Sequence, residues 1–282
     1  MNCLAIKRLS TLKFSAAQFV VEGGSGLTDE AREKLMELNA EGLDIAVTTD
    51  NLSSISRRVI VFDMDSTLIQ GEVIDELAKI AGCEAEVSKV TAAAMGGQME
   101  FAESLRRRVA CLKGNYAPAM YETVKRGIVF MPGAKELCAT LKNRGYKMAV
   151  ISGGFLPIAR YVQKTLQLDY AFANNLQEDA DGNLTGATVG PVVTPQRKRT
   201  LMQMIADVEG CHVDQVIAVG DGANDIPMLK CAGLGVAFCA KPMVQKKANH
   251  RINQKDLRNI AYLVGMKESQ IHKRIQPKAS NR

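Results

Sequence analysis

Short apolar blocks recur along the chain at 59–63, 147–151, 170–173, 216–220 and 234–238. Each has the length of a strand, and unbroken apolar runs of that length mark strands buried on both faces. Helical stretches are predicted at 134–143, 155–166, 197–208, 224–231 and 255–264. Strands alternating with helices make an α/β, Rossmann-like parallel sheet with helices on both faces. The stretch 72–127 breaks the alternation. It holds no strand and four helical segments, 72–81, 84–94, 99–112 and 118–126, so it reads as a helical cap inserted after the first core strand. Pro132-Gly133 marks the return to the sheet, and Asp181-Gly182 between β-prone pieces signals a hairpin.

Residues 1–56 differ again and predict a short N-terminal α+β segment. Val20-Val21 ends a strand. A helix is expected over 28–41: Thr28 caps it, Asp29 and Glu30 favour its positive end, Ala31, Leu35 and Leu38 share a face, and Gly42 stops it. Another strand is expected over 43–47, then a linker over 48–57. The resulting division is an N-terminal segment 1–56, a core of 57–71 and 128–266, a cap 72–127 and a basic tail 267–282. No internal repeat or low-complexity segment interrupts it.

The chain's 282 residues give room for one large or two small domains. Hydrophobic residues make up 46% and charged residues 23%, an ordinary globular balance that excludes fibrous and disordered classes. No apolar run approaches the ~18 residues of a membrane span. Trp is absent and aromatics are only 5%, which argues against a stacking platform for nucleic acid. The net charge of +6 is concentrated at the ends: residues 1–21 carry three bases and no acid, and residues 267–282 carry five bases and one acid. The body between is close to neutral, so neither a nucleic-acid face nor a membrane surface is implied. The basic tail reads as a solvated terminus. Seven cysteines without a CxxC pair fit reduced thiols in a cytoplasmic protein, not a disulfide frame or a zinc site. The three histidines are scattered and form no HExxH. Lys7, Arg8 and Lys13 interrupt what would have to be the apolar core of a signal peptide.

Open parallel sheets bind ligands at the carboxyl ends of their strands, and three polar clusters fall there. Asp63-Met64-Asp65-Ser66-Thr67 follows the first core strand. Two carboxylates one residue apart repel unless a cation sits between them, so a hard divalent metal is implied. An EF-hand is excluded, because Leu68 and Ile74 stand where it needs Gly and Glu. Ser152-Gly153-Gly154-Phe155 offers a hydroxyl and glycines whose backbone N–H groups can approach an oxyanion. Gly220-Asp221-Gly222-Ala223-Asn224-Asp225 adds two more carboxylates. A fourth cluster, Arg197-Lys198-Arg199, opens a predicted helix; it reads as a solvated charge run from which one lysine could reach a phosphate. A nucleophile, a metal and fixed positive charge are what phosphoryl transfer needs. Neither a P-loop GxxxxGK[ST] nor the GxGxxG dinucleotide fingerprint is present.

On these residues the sequence resembles the haloacid dehalogenase-like superfamily and, within it, the phosphoserine phosphatase family, over about residues 58–264. Val61-Phe62-Asp63-Met64-Asp65-Ser66-Thr67-Leu68 is similar to the family's first motif, Ser152–Phe155 to its second and Gly220–Asp225 to its fourth. Family spacing selects Lys198 as the third, 23 residues before Asp221. The cap stretch 101–109 and the run 237–242 follow the same pattern. The resemblance implies hydrolysis of O-phospho-L-serine to L-serine and phosphate, the last step of serine biosynthesis. Asp63 would be the nucleophile that forms an aspartyl-phosphate, and Asp65 the general acid and base. Mg²⁺ would sit on Asp63, Asp65 (through its backbone carbonyl) and Asp221, with Asp225 supporting its shell. Ser152, Gly153, Lys198 and Asn224 would hold the phosphoryl oxygens. Glu72 would pair with the substrate ammonium and Arg108 with its carboxylate, which the guanidinium fork matches. The first 56 residues would be a remnant of the amino-acid-binding regulatory domain that precedes some members. The implied partner is a small molecule, with no nucleic acid and no membrane, and at most a second copy of the chain as a homodimer. The alternatives left open are the same chemistry on phosphothreonine, phosphohomoserine or phosphocholine, transfer of the phosphoryl group to another alcohol, and a catalytically silent binding protein.

Overall fold

Val59, Ile60, Val61 and Phe62 are all fully buried, yet they do not share one core. Side chains alternate across a strand, so Ile60 and Phe62 enter one apolar cluster and Val59 and Val61 the other. A strand apolar at every position therefore needs cover on both sides, and the fold supplies it. The computed structural model describes residues 2–10, 16–22, 28, 30, 34, 44–48, 56–95 and 99–271.

Nine strands and ten α-helices follow in order among these residues: β1 Asn2–Arg8, β2 Ala17–Glu22, β3 Val59–Phe62, α1 Val73–Ala81, α2 Glu84–Met95, α3 Phe101–Ala110, α4 Ala117–Gly127, α5 Ala134–Asn143, β4 Lys147–Phe155, α6 Leu156–Leu166, β5 Tyr170–Glu178, β6 Leu184–Val189, α7 Pro195–Val208, β7 Val216–Gly220, α8 Ile226–Cys231, β8 Leu234–Phe238, α9 Pro242–Lys247, β9 His250–Ile252 and α10 Asn259–Leu263. The main sheet has seven strands in the order β6-β5-β4-β3-β7-β8-β9. All its pairings are parallel except β5 with β6, the hairpin turning at Gly182. One face is covered by α5, α6 and α10, the other by α7, α8 and α9. The chain adds strands on one side of β3 as far as β6, then crosses to β7 on the other side. That reversal opens a crevice at the carboxyl end of β3, between β4 and β7.

The cap helices α1–α4 leave and rejoin the core side by side. Gln70 N–H donates to the Val129 carbonyl at 2.8 Å and Met131 N–H to the Leu68 carbonyl at 2.9 Å. The far end of the cap is stitched to the β5–β6 hairpin: Gly114 N–H donates to Leu184 O at 2.7 Å, Leu184 N–H to Asn115 O at 2.8 Å, and Ala117 N–H to Gly182 O at 3.0 Å. Gly182 has φ +81°, and a Cβ there would lie 2.9 Å from the Tyr116 ring. Only glycine makes that turn against that ring without strain.

Some expectations are corrected. Residues 44–47, expected in a strand, have no strand pairing. Their neighbourhood is instead fixed by Asp44, which accepts from Asn253 N–H at 2.8 Å and from its side-chain amide at 3.0 Å. The helix expected over 255–264 shortens to Asn259–Leu263. The helix expected over 224–231 begins as a 3₁₀ turn, Ala223–Asp225. Sequence reading also passed over α9 and β9, both too short to set up a periodicity. The helix expected over 28–41, apart from residues 28, 30 and 34, and most of the 48–57 linker lie outside the described residues, as does the tail beyond 271. The strand ending at Val20-Val21 is β2, which pairs antiparallel with β1.

Candidate active site

Asp63 stands one residue beyond β3, and its N–H donates to the Val219 carbonyl of β7 at 2.9 Å, so the sheet itself sets its position. Its Oδ1 accepts from Met64 N–H at 2.7 Å and pairs with Lys198 Nζ at 2.8 Å. Lys198 also pairs with Asp225 Oδ1 at 2.7 Å. The lysine is fully buried, whereas Arg197 and Arg199 on either side are exposed. The first turn of α7 explains the contrast. Thr194 caps it, its hydroxyl accepting from Arg197 N–H at 3.2 Å, and Pro195 fits the first helical turn. From that fixed start, position 198 faces inward and its neighbours face water.

Asp65 points into the same crevice. Its Oδ1 accepts from Val73 N–H at 3.0 Å, at the N-terminus of α1, and its Oδ2 accepts from the Ser152 hydroxyl at 3.4 Å. Ser152 Oγ in turn accepts from Gly154 N–H at 2.8 Å. A Cβ on Gly154 would lie 2.8 Å from Asp65 Oδ2, so only glycine lets the two segments close this far. Gly153 is next to Asn224, whose amide nitrogen would be 3.7 Å from a Cβ there. Phe101, opening α3 of the cap, covers the same glycine, with its ring carbon 2.9 Å from that Cβ position.

Asp221, just past β7, is oriented by Thr67, whose hydroxyl donates to its Oδ1 at 2.9 Å. Carboxylate oxygens of Asp63, Asp221 and Asp225 lie within 4.8 Å of one another. Three hard oxygen donors that close, with one lysine between two of them, leave excess negative charge. The proton affinities record it. Burial, then the Asp225 charge, pushes Asp63 well above the usual carboxylate range. Burial, then Glu72, pushes Asp65 up to about 7, and burial, then Asp225, pushes Asp221 up to about 7. Burial alone would lower Lys198, but the attraction of Asp225 and Asp63 carries it above its ordinary value. The donor set therefore fits a divalent cation, which relieves the repulsion that burial magnifies.

Glu72 and Arg108 lie on the cap side. Glu72 immediately precedes α1 and accepts from the Ser66 hydroxyl at 2.9 Å. Arg108, on α3, is half-buried, and its Nε donates to Ser104 O at 3.3 Å. Among the described residues Arg108 has no ion-pair partner. Burial depresses its pKa, while the charges of Glu72, Asp75 and Asp65 work against that. Burial raises Glu72 in turn. A cation and an anion of the cap thus lie close enough to Asp65 to act on its charge, without pairing with each other.

The structure brings Asp63, Asp65, Ser152, Gly153, Lys198, Asp221, Asn224 and Asp225 into one crevice, under a cap that carries Glu72 and Arg108. Sequence reading missed Ser66, Thr67 and Asn174. Ser66 and Thr67 stood inside the first motif and were legible as hydroxyl donors. Asn174 gave no signal, because its partners are distant in sequence. Ser152–Phe155, expected as a loop followed by a helix, belongs to the end of β4, where the pairing with β5 skips from Ile151 to Phe155.

Acidic groups and one buried lysine at the switch point of a doubly wound sheet define a hydrolase built for phosphoryl groups. A family model of haloacid dehalogenase-like hydrolases matches residues 57–233. The chain belongs to the haloacid dehalogenase-like hydrolases and, within them, to the phosphoserine phosphatase family. It is 43% identical to a probable phosphoserine phosphatase of Schizosaccharomyces pombe over 255 residues, 90% of this chain and 85% of that one. It is 47% identical to the phosphoserine phosphatase of Methanocaldococcus jannaschii over 204 residues, 72% of this chain and 96% of that one. A solved structure described as a phospho-aspartyl intermediate analogue of phosphoserine phosphatase superposes with TM-score 0.69 at 46% identity, covering 74% of this chain and 99% of that one.

Proposed function

We propose that this chain is a Mg²⁺-dependent phosphomonoesterase that hydrolyses O-phospho-L-serine to L-serine and phosphate. The observation that carries the reading is how Asp63 is held. Met64 N–H and Lys198 both engage its Oδ1, which leaves Oδ2 to attack phosphorus. The Oδ2–P bond forms as the bond from phosphorus to the serine oxygen breaks, giving an aspartyl-phosphate. Asp65, with its pKa pushed up to about 7 by burial and Glu72, gives its proton to the departing serine oxygen. It then takes a proton from the water that attacks phosphorus and frees Asp63. Lys198, Ser152, the Gly153 N–H and Asn224 hold the equatorial oxygens, where charge develops. Asp63, the Asp65 carbonyl and Asp221 would hold Mg²⁺, with Asp225 in support, and the ion when bound supplies the charge neutralisation that lets a carboxylate approach a phosphate dianion. Glu72 receives the substrate ammonium and Arg108 its carboxylate. The reading is supported by the relatives at 43% and 47% identity, which carry the name phosphoserine phosphatase.

The test is phosphate release from phosphoserine, phosphothreonine, phosphocholine and p-nitrophenyl phosphate, with and without EDTA. Phosphoserine is expected to be the best substrate, and metal stripping is expected to abolish turnover. Arg108→Ala is expected to lose most of its kcat/KM on phosphoserine and far less on p-nitrophenyl phosphate, which has neither ammonium nor carboxylate. A parallel loss on both would remove the substrate assignment, and full activity in excess EDTA would remove the metal.

A further inference from the structure

At Ser152–Phe155 the edge of β4 leaves its ladder. Pairing with β5 is regular through Ile151–Phe172 and resumes only at Phe155–Asn174. Backbone carbonyls released in this way must find other donors, because burying them unpaired is costly. Asn174 provides them. Its amide nitrogen donates to Gly153 O at 2.8 Å and to Gly154 O at 3.3 Å. Its amide oxygen accepts from Val193 N–H at 2.8 Å. The side chain is 2% exposed, so water does not compete for these bonds.

The two segments joined in this way carry different parts of the site. Gly153 and Gly154 carry the N–H side of the crevice beside Asp65. Val193 immediately precedes Thr194, whose hydroxyl caps α7 and whose carbonyl accepts from Lys198 N–H at 2.9 Å. One amide group therefore spans from the glycine turn to the helix start that aims the buried lysine.

We propose that Asn174 is a positioning residue that fixes the separation between the Gly153 backbone N–H and the Lys198 ammonium, and so sets the geometry of the oxyanion cradle. The inference rests on the phosphatase reading of the site, but it concerns the phosphoryl group alone and is indifferent to the alcohol. Asn174 touches no substrate atom. Its effect is on how well two donors point at the equatorial oxygens together, and misplacement of about 1 Å at such a site costs ~10²-fold in rate.

Asn174→Asp keeps the outline and the oxygen facing Val193 and removes the N–H donors. It is expected to lower kcat about 10²-fold on phosphoserine and p-nitrophenyl phosphate alike, with KM changing far less. Affinity for orthovanadate, which mimics the five-coordinate transition state, should fall in step when read by calorimetry, whereas affinity for inorganic phosphate should change as little as KM. Asn174→Ala should behave the same way, assayed well below its own unfolding midpoint. Wild-type kcat and wild-type vanadate affinity in Asn174→Asp would overturn the proposal. So would a lowered thermal midpoint with kcat per folded molecule unchanged, which is the mark of a merely structural clip. If the wild type turned over p-nitrophenyl phosphate but not phosphoserine, the substrate assignment would fall while the Asn174 comparison was still decided on the other ester. The vanadate-binding arm decides it even without turnover.

Discussion

Lys198 shows what a single buried charge does here. It is paired with two carboxylates and is fully buried, so deleting it strands both acids as well as removing a donor. Lys198→Ala is expected to cost about 10²–10³ in kcat, the scale of one preorganised donor, whereas exposed Arg197→Ala and Arg199→Ala should stay close to wild type. Steady-state phosphate release on the three variants checks this. Asp63→Asn should abolish turnover while circular dichroism and the unfolding midpoint stay near wild type, because an amide cannot form the acyl phosphate yet fills the same space; mass spectrometry excludes deamidation. Near wild-type turnover would refute covalent catalysis by Asp63. At this scale the sequence was most informative where chemistry clusters locally. Asp63 and Asp65 stand one residue apart, and Asp221 and Asp225 share a glycine turn. Thr67 finds Asp221 154 residues later in the chain, and Asn174 reaches back 21 residues to Gly153. Contacts made by folding leave no mark in a local pattern.

Elements whose environment is uniform were legible almost to the residue. Val216–Gly220 and Leu234–Phe238 are buried at every position, and both strands keep the bounds expected of them. Helix α5 matches its expected 134–143 because Leu137, Cys138 and Leu141 form a single buried face. Elements defined by partners were not legible. β4 continues through two glycines because β5 and the Asn174 side chain receive it, and the 44–47 stretch is not a strand because no described strand pairs with it. The β5–β6 hairpin was signalled by Asp181-Gly182, but its grip on the cap was not. Gly182→Val places a branched side chain at φ +81° against Tyr116. It is expected to lower stability by about 1–3 kcal/mol, measured by urea unfolding, and to raise KM for phosphoserine through the loosened cap. An unchanged midpoint would show that the turn tolerates the strain.

In the whole molecule, the order of the strands was the part least accessible from sequence. Alternation implied a parallel sheet, but the crossover that places β7 beside β3 follows from packing across both faces, and it creates the crevice. The described N-terminal residues are tied to the end of the core: Glu268 N–H donates to Leu9 O at 2.8 Å, and Lys7 Nζ reaches the Gly265 carbonyl at 3.3 Å. Cys138 lies inside this body, and burial pushes its thiol up to about 12, whereas Cys239 is exposed. Labelling with a thiol reagent at pH 8 should therefore modify Cys239 quickly and Cys138 only at the rate of global opening. Rapid modification of Cys138 in the native protein would mean that the face under α5 opens on its own. The stitch between the cap and the β5–β6 hairpin has a further consequence, for the entropy of binding. A cap joined to the core by two paired connections and also by three backbone bonds, from Gly114, Asn115 and Ala117 to Leu184 and Gly182 of the hairpin, has few rigid-body motions left to lose. Substrate that closes it freezes little additional freedom. More of the attraction between the substrate and Glu72 and Arg108, the side chains proposed to receive it, would then appear as affinity, and the motion that admits substrate would be confined to the unstitched flank, where the start of α1 meets Asp65 and the start of α3 covers Gly153.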